Sequence, residues 1–236
     1  MNTVVIDESR RRLLTWQPSA PTATHLYLYD NELSELPGEI GLLRELRVLD
    51  LASNVLSRLP PEIALCGQLE YLYLHGNRLV ELPTELGRLG RLVYLNVNAN
   101  PLGRLSDSIG GLHSLAELRA ESVGLHNLPN AICGFEKLRE LHLRGNSIRD
   151  LPAAANAWPD LRYCNLRNNR LQHVPPSLTD APRLRELDLR QNGINALPSF
   201  LLTLPVLDKV DVRWNRVRET DAVALELRVR GCLVHL

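Results

Sequence analysis

Leucine and other apolar residues recur along this chain with a period of 23 residues. The clearest copy, residues 138–148, reads LRELHLRGNSI, in which leucines spaced by three and then two positions precede an asparagine. That asparagine, Asn146, has counterparts at whole multiples of the period, namely Asn31, Asn54, Asn77, Asn100, Asn169, Asn192 and Asn215. The pattern returns nine times and therefore predicts a single solenoid of stacked repeats, each in contact only with its neighbours.

The first half of each repeat alternates apolar and polar residues, which predicts a short β-strand. In this arrangement residues such as Leu26, Leu28, Leu141 and Leu143 point into the core, while the residues between them point outward. Stacked repeats then form one parallel sheet. The asparagine amide can both donate to and accept from backbone groups in the turn, so aligned asparagines are expected to form a ladder. The repeats are predicted to begin at Ala23, Leu46, Leu69, Leu92, Leu115, Leu138, Leu161, Leu184 and Leu207.

The second half of most repeats contains an apolar residue followed by proline. Proline fixes the backbone and lacks an amide donor, which suits the first turn of a short helical or 3₁₀ segment. Because this side is longer than the strand side, the stack is expected to curve with the sheet on its concave face. The pairs are Leu36-Pro37, Leu59-Pro60, Leu82-Pro83, Leu128-Pro129, Leu151-Pro152, Val174-Pro175 and Leu197-Pro198.

Two repeats depart from this pattern. Repeat five has Val123 at the asparagine position and Ala120 at a core leucine position, and repeat four has Leu105-Ser106 in place of leucine and proline. Valine cannot supply the hydrogen bonds of the ladder. Sequence drift is one explanation, and a local kink or a site that admits a partner is the other.

Both ends lack the repeat pattern, so we divide the chain into an N-terminal cap (1–22), nine repeats (23–218) and a C-terminal cap (219–236). In the first cap, VVID predicts a strand, and ESRRRLLTW predicts either a second strand or a short helix with Asp7 or Ser9 as N-cap. The residues expected to cover the apolar face of the first repeat are Leu13, Leu14 and Trp16.

The C-terminal cap is predicted to contain a helix followed by an edge strand. The helix has Thr220 or Asp221 as N-cap and Gly231 as its stop signal, and CLVHL forms the strand. The apolar residues assigned to the helix are Val223, Leu225, Leu227 and Val229.

The full pattern, L-x-x-L-x-L-x-x-N-x-L-x-x-L-P-x-x-I/L-x-x-L, resembles the leucine-rich-repeat proteins of the Ras-suppressor and plant intracellular Ras-group type and their bacterial counterparts. The resemblance covers about residues 23 to 217. It implies an α/β solenoid shaped as a curved horseshoe, with a parallel β-sheet on the concave face and short helical or 3₁₀ segments on the convex face. It also implies a protein-binding scaffold whose repeats carry no catalysis, without indicating a particular partner.

Composition narrows the class of partner. The chain is 44% hydrophobic and 23% charged, and its 27 basic and 27 acidic residues balance, so nothing favours a polyanion such as nucleic acid. The N-terminus lacks the apolar run of a signal peptide and no stretch reaches transmembrane length. We therefore expect a cytoplasmic protein with no membrane partner; export by a route without a classical signal is the alternative. The excess of 25 arginines over two lysines suggests a GC-rich, bacterial coding sequence.

The sequence gives no support for a cofactor, a metal site or an enzyme. The histidines show neither H-x-H nor H-E-x-x-H spacing, and no glycine-rich phosphate loop is present. Glu117 and Glu140 occupy equivalent positions on adjacent strands, but Arg119 and Arg144 are close and no pocket is implied, so no catalytic role is assigned. The four cysteines, Cys66, Cys133, Cys164 and Cys232, are predicted to be buried free thiols.

The outward strand positions predict a binding surface that is aromatic toward the N-terminus and charged toward the C-terminus. All six tyrosines lie on it, and tyrosine offers a large apolar contact with one polar tip. Decoration of a solvated sheet is the alternative explanation. The candidate protein-binding residues are Tyr27, Tyr29, Tyr71, Tyr73, His75, Tyr94, Asn96, Asn98, Arg119, His142, Arg144, Tyr163, Arg167, Arg190, Arg213 and Trp214.

Four of these residues, Arg144, Arg167, Arg190 and Arg213, form a row across consecutive strands. The row predicts a protein partner with an acidic segment, held by bidentate hydrogen bonds, unless acidic residues on the same face neutralise it internally. Trp214 is interpreted either as an apolar anchor or as a residue covered by the C-terminal cap. The competing function is a structural or self-associating protein, and we expect a monomer or weak homodimer.

Overall fold

The computed structural model describes residues 3–154 and 157–236. These residues contain one sheet of eleven parallel strands, arranged in the order of the chain. The repeat strands pair in a register of 23 residues, as in Tyr71 with Tyr94 and Glu117 with Glu140. The predicted α/β leucine-rich-repeat solenoid is therefore confirmed. The strands are β1 (Val5–Asp7), β2 (His25–Tyr27), β3 (Val48–Asp50), β4 (Tyr71–Tyr73), β5 (Tyr94–Asn96), β6 (Glu117–Arg119), β7 (Glu140–His142), β8 (Tyr163–Asn165), β9 (Glu186–Asp188), β10 (Lys209–Asp211) and β11 (Leu233–His235).

The core consists of the inward-facing residues of the strands and of the opposite side. Leu26, Leu28 and their counterparts in later repeats are at most 1% exposed, which confirms the predicted alternation. All four cysteines are free, and all but the half-buried Cys133 are buried. Burial raises the pKa of the Cys66 thiol to about 11 and that of Cys164 to about 12, so both are protonated and act as small apolar core residues.

The asparagine ladder forms as the sequence predicts. The Oδ1 atom of Asn77 accepts from the backbone N–H of Leu56 at 3.0 Å, and its Nδ2 atom donates to the carbonyl groups of Leu51 and Leu74, each at 2.9 Å. The residue immediately before the asparagine position has a positive φ in every repeat, as in Gly76 (67°). Each asparagine therefore ties its own turn to the turn of the preceding repeat.

The described residues contain seven 3₁₀ helices, which lie on the other side of the solenoid from the sheet. Most of them follow a proline with extended backbone, such as Pro37 with φ −70° and ψ 151°. Ser106 replaces this proline in repeat four, adopts the same conformation (φ −74°, ψ 152°) and accepts from the N–H of Ser108, so repeat four keeps the regular form. The helices are Gly38–Leu42, Pro61–Leu65, Thr84–Arg88, Asp107–Gly111, Asn130–Gly134, Pro176–Asp180 and Ser199–Thr203.

Repeat six has no 3₁₀ helix within its described residues. Its core is filled instead by Trp158, which has no exposed surface and donates from Nε1 to the carbonyl of Ile132 at 2.9 Å. The residue one period later is Ala181, also fully buried, so a large and a small side chain occupy neighbouring core positions.

Repeat five shows how the ladder is interrupted. Val123 is buried, with 1% of its surface exposed, and its carbonyl accepts from Gly103 N–H at 2.9 Å. In repeat three the backbone N–H of Arg78 donates to the carbonyl of Leu56. The equivalent residue of repeat four is Pro101, which has no N–H, so this hydrogen bond between neighbouring turns is also missing there. Strands β5 and β6 stay paired beside the interruption, which confines it to the turns.

The N-terminal segment departs from the predicted form. The first strand is present and pairs with β2, but residues 8–22 form neither a second strand nor a helix. The backbone N–H groups of Arg11 and Leu13 instead donate to Oδ1 of Asn31, which extends the ladder to the first turn. Trp16 is buried as predicted, whereas Leu14 is 65% exposed, so its assignment to the cap core was wrong.

The C-terminal segment forms the predicted helix, α1 (Ala222–Val229), with Asp221 as its N-cap. The helix ends at Val229 with Arg230 as its C-cap, and Gly231 follows at φ 89°, the stop that the sequence indicates. Its apolar residues do not all face the core. Leu227 is buried while Leu225 and Val229 are 47% and 87% exposed, because residues two apart lie on opposite sides of a helix.

The strand β11 pairs with β10, as the CLVHL segment predicted. No helix among the described residues is long and apolar enough to span a bilayer.

Candidate functional site on the concave face

The outward side chains of the sheet form three columns that run from strand to strand. The backbone pairing of the strands continues two residues beyond each strand, which keeps the third column in register. The leading column contains His25, Val48, Tyr71, Tyr94, Glu117, Glu140, Tyr163, Glu186 and Lys209. The central column contains Tyr27, Asp50, Tyr73, Asn96, Arg119, His142, Asn165, Asp188 and Asp211. The trailing column contains Tyr29, Ala52, His75, Asn98, Glu121, Arg144, Arg167, Arg190 and Arg213.

The tyrosine patch, defined here as Tyr71, Tyr73 and Tyr94, is the main aromatic feature of this face. The ring centroid of Tyr94 lies 4.8 Å from that of Tyr73 and 6.4 Å from that of Tyr71. Burial raises the pKa of both Tyr73 and Tyr94, so their phenols remain protonated donors at neutral pH. Three rings fixed on two adjacent strands form a preorganised apolar surface with polar tips.

The polar neighbours of the patch hold it in place. Asn96 donates from Nδ2 to the Tyr94 hydroxyl at 3.2 Å and accepts from Asn98 N–H at 3.0 Å. Asn98 in turn accepts from the N–H of Glu121 at 2.7 Å. These two asparagines, predicted as contact residues, therefore also support the backbone and the tyrosine ring.

The other three tyrosines lie apart from the patch. Tyr27 packs near His25, with ring centroids 6.4 Å apart, and Tyr29 lies under the Arg10 guanidinium at 5.3 Å. Tyr163 packs against His142, with centroids 5.0 Å apart. The structure thus places all six tyrosines on the predicted face but gathers only three of them.

The predicted arginine row divides into two pairs. Arg190 and Arg213 are neutralised within the chain: Arg190 Nη2 lies 2.5 Å from Asp188, and Arg213 Nη2 lies 2.7 Å from Asp211. Burial opposes ionisation of Asp211, but the hydrogen bonds from Arg213 and the charges of Arg213 and Arg190 hold the pKa of that carboxyl below its usual value. The alternative of internal pairing is therefore correct for this half of the row.

Arg144 and Arg167 form no ion pair with any described residue. Arg144 is exposed, and Arg167 donates from Nε to the side-chain oxygen of Gln191 at 2.8 Å. Their charges are consequently available to an anionic ligand.

Trp214 completes this end of the face and is not covered by the C-terminal cap. Its side chain is 61% exposed, and the guanidinium groups of Arg167 and Arg213 lie 5.6 and 5.5 Å from its ring. Its φ of 60° is costly for a bulky side chain, about 1–2 kcal/mol. The corresponding residues of the other repeats are Asp30, Ser53, Gly76, Ala99, Ser122, Gly145, Asn168 and Gln191. We call Arg144, Arg167 and Trp214 the arginine–tryptophan patch.

Between the two patches, β6 and β7 bring acidic residues around one imidazole. His142 Nε2 lies 2.9 Å from a Glu140 oxygen and 3.8 Å from Glu117, while its Nδ1 lies 3.8 Å from Glu121. Arg119 donates from Nε to Glu117 at 2.5 Å. Burial opposes protonation of Arg119, but its bond to Glu117 raises its pKa.

Sequence reasoning paired Glu117 with Glu140 across adjacent strands and placed Arg119 near them, but it did not add His142 to the group. The histidines were considered only by their spacing along the chain, whereas these side chains meet across strands through the 23-residue register. A search of equivalent positions in adjacent repeats would have placed His142 beside Arg119, between Glu117 and Glu140.

The sequence profile described as "Leucine rich repeat" matches residues 21–79 and 136–194, half of the chain. The chain belongs to the leucine-rich-repeat family. Its more specific likeness to the Ras-suppressor type stays a prediction. A search of curated protein sequences gives no significant match.

Solved structures with the same fold include bacterial and plant proteins. The protein LIC12759 of Leptospira interrogans is 24% identical over 98% of this chain and 76% of its own, with a TM-score of 0.67, which shows the fold alone. The ectodomain of the Arabidopsis thaliana receptor kinase GASSHO1/SCHENGEN3, in complex with CASPARIAN STRIP INTEGRITY FACTOR 2, is 28% identical with a TM-score of 0.74. The plant peptide hormone receptor RGFR1, in complex with RGF2, is 25% identical with a TM-score of 0.69. The match covers 91% and 83% of this chain but only 26% and 32% of the two receptors, respectively.

Proposed function

We propose that this protein is a non-catalytic scaffold that binds a protein partner through its concave face, with the arginine–tryptophan patch receiving an acidic segment of that partner. The observation that carries the proposal is the contrast within the arginine row. Arg190 and Arg213 have their own carboxylates, whereas Arg144 and Arg167 have none among the described residues. Arg167 also lies 5.6 Å from the ring of the exposed, strained Trp214.

The chemistry of this patch suits a carboxylate better than a phosphate backbone. A guanidinium group can hold a carboxylate with two parallel hydrogen bonds. The nearby carboxylates of Asp188 and Asp211 would repel a long polyanion, whereas a short acidic peptide segment can avoid them. An aromatic ring beside two guanidinium groups also offers apolar contact to the stem of a Glu or Asp side chain.

The tyrosine patch supplies a second contact for the same ligand. Tyr94 on β5 and Arg167 just after β8 are three strand positions apart in the sheet, which at about 4.8 Å per strand separates them by roughly 14 Å. An extended peptide rises about 3.4 Å per residue, so roughly four residues span this distance. A partner segment with an apolar residue at one end and an acidic residue about four positions away fits both patches.

The similar structures support the general mode of binding. The two plant receptors were solved as complexes with RGF2 and with CASPARIAN STRIP INTEGRITY FACTOR 2. Partner identity is specific to each of those proteins, and only the use of the fold as a binding scaffold is transferred here.

The test is capture of partners from a lysate of the source organism, followed by affinity measurement with the purified partner. One variant carries Tyr73→Ala, Tyr94→Ala, Arg144→Glu and Arg167→Glu. The matched control, Arg78→Glu with Arg104→Glu, reverses two exposed arginines outside the three columns. We expect the control to retain the partner and the concave variant, folded by circular dichroism, to lose it. Retention of the same partners by all three proteins would contradict concave-face binding.

Self-association is the second candidate, and the sheet edges favour it. Strands β1 and β11 are each paired on one side only, and the exposed Leu225, Val229 and Leu233 lie near the β11 edge. Analytical ultracentrifugation of the purified protein distinguishes the two: a mass that rises with concentration and is restored to the monomer by Val229→Asp supports self-association.

A further inference from the structure

We propose that Glu117, Glu140 and His142 form a binding site for one divalent transition-metal cation of the zinc class. This site does not depend on the proposed protein-binding function. One ligand atom from each residue lies within 4.8 Å of the other two, on the adjacent strands β6 and β7. An imidazole nitrogen and carboxylate oxygens are ordinary ligands of zinc.

The geometry requires only a small adjustment of flexible side chains. Zinc binds nitrogen and oxygen at about 2.0–2.2 Å, which places the ligand atoms of a tetrahedral site about 3.4 Å from each other. His142 and Glu140 are already at 2.9 Å, and His142 and Glu117 at 3.8 Å. Rotation of the glutamate side chains about their own torsions is sufficient to complete three ligands, since the backbone positions are fixed by the strand register.

The histidine distinguishes this cluster from an ordinary group of surface carboxylates. Its side chain is only 9% exposed, and Tyr163 packs against the ring. Nδ1 faces Glu121 at 3.8 Å while Nε2 faces the other two glutamates. A carboxylate that accepts from the nitrogen opposite the metal is the usual outer partner of a metal-binding histidine, because it fixes the ring and raises its basicity. Glu121 would take this role once its carboxylate approaches Nδ1 by about 1 Å.

The charge of the cluster also matches a divalent cation. The carboxylates of Glu117, Glu121 and Glu140, together with the guanidinium of Arg119, carry two net negative charges when the imidazole is neutral. The bond from Arg119 Nε goes to Oε1 of Glu117, the oxygen that also lies 3.8 Å from His142 Nε2, so rotation of the Glu117 carboxylate is needed to present its second oxygen to a metal. A bound dication would therefore neutralise this half-buried group of charges, in which Arg119 compensates Glu117.

Three protein ligands leave a fourth position for water or for a side chain of a bound molecule. The cluster lies between the tyrosine patch and the arginine–tryptophan patch, on the open side of the sheet. The sequence-based prediction of no metal site considered spacing along the chain, which does not register ligands that meet across repeats.

The test uses tag-free protein freed of metal by a chelator and then titrated with Zn²⁺ or Co²⁺. We expect one ion per chain, with affinity reduced at least about tenfold by His142→Gln or Glu140→Gln and to a smaller extent by Glu121→Gln. The double variant His75→Gln, Glu186→Gln is the control, since both residues lie on the same face outside the cluster, and it should bind as the wild type does.

The visible spectrum of the Co²⁺ form provides a second readout on the unmodified protein. Nitrogen and oxygen ligands give d–d bands without the intense near-ultraviolet charge-transfer band of a thiolate. A thiolate band would place the ion at a cysteine and overturn the proposal. Failure of the wild type to bind one equivalent, or unchanged affinity in the folded His142→Gln variant, would overturn it equally.

Discussion

Replacing the ladder residue Asn77 with alanine should destabilise the protein by roughly 2–4 kcal/mol. The side chain makes three buried hydrogen bonds, and the loss of each costs a different free energy. The carbonyl of Leu51 also accepts from Asn54, and that of Leu74 from Asn100, so both keep a donor. Only the N–H of Leu56 loses the acceptor identified for it, which costs about 1–3 kcal/mol, and the two other bonds add about 1 kcal/mol each at most.

The assay is urea denaturation followed by far-ultraviolet circular dichroism, comparing Asn77→Ala with the wild type. Asn127→Ala is the control, because Asn127 is exposed in the turn of repeat five and should change the free energy of unfolding by less than about 0.5 kcal/mol. The slope of the transition should stay the same in all three proteins if unfolding remains cooperative. A loss below about 0.5 kcal/mol for Asn77→Ala would refute the account of the ladder.

Three further predictions concern the core, the pH dependence and the strained tryptophan. Trp158→Leu should cost roughly 2–4 kcal/mol in urea denaturation, because it leaves a cavity and removes the donor to Ile132, and a loss under about 1 kcal/mol would contradict this. Burial raises the pKa of Asp50, so the stability that its protonation contributes is lost as pH rises from about 4, its ordinary value, toward the raised one. In the Asp50→Asn variant the amide oxygen can still accept from Ala52 N–H, as Asn96 accepts from Asn98. The free energy of unfolding of this variant, relative to that of the wild type, should therefore rise between about pH 4 and pH 7, and a fall would contradict the raised pKa. Trp214→Gly should leave the free energy of unfolding unchanged or raise it by up to about 1 kcal/mol, because the strained side chain is removed. Affinity for the partner should fall at least about tenfold, and unchanged affinity would show that Trp214 is not part of the binding surface.

The fold was predictable because one physical constraint repeats. A leucine that is out of place by one residue would turn to the solvent side, so the 23-residue period sets the alternation, the strand register and the ladder at once. Ser106 departs from the consensus proline without changing the structure, because its hydroxyl caps the 3₁₀ helix and its backbone adopts the same conformation.

The errors fell where the period stops. Leu225 and Val229 were correctly assigned to the helix, but each lies two residues from the buried Leu227 and therefore on the opposite, exposed side. The first cap continues the asparagine ladder with Arg11 and Leu13 in an irregular backbone that has no repeat signature.

The candidate surface was predictable in outline and not in detail. Outward strand positions follow from alternation, so the tyrosines and arginines were placed on the correct face. The residue two places earlier decides which arginines are paired. Asp188 and Asp211 precede the paired Arg190 and Arg213, whereas Asn165 and His142 precede Arg167 and Arg144, and this relation was not used. The positive φ of Trp214 was not predictable either. The turn position before each asparagine has a positive φ in every repeat, but different residue types occupy it, so the sequence gives no signal.

The most direct test of concave-face binding is photo-crosslinking with a reactive amino acid placed singly at Tyr73, Arg167, Leu42 or Leu65. The first two positions lie in the three columns, and the last two are exposed apolar residues of 3₁₀ helices on the opposite side. Binding through the concave face predicts crosslinks to the partner from positions 73 and 167 and none from 42 and 65. Crosslinks from positions 42 and 65 alone would contradict it.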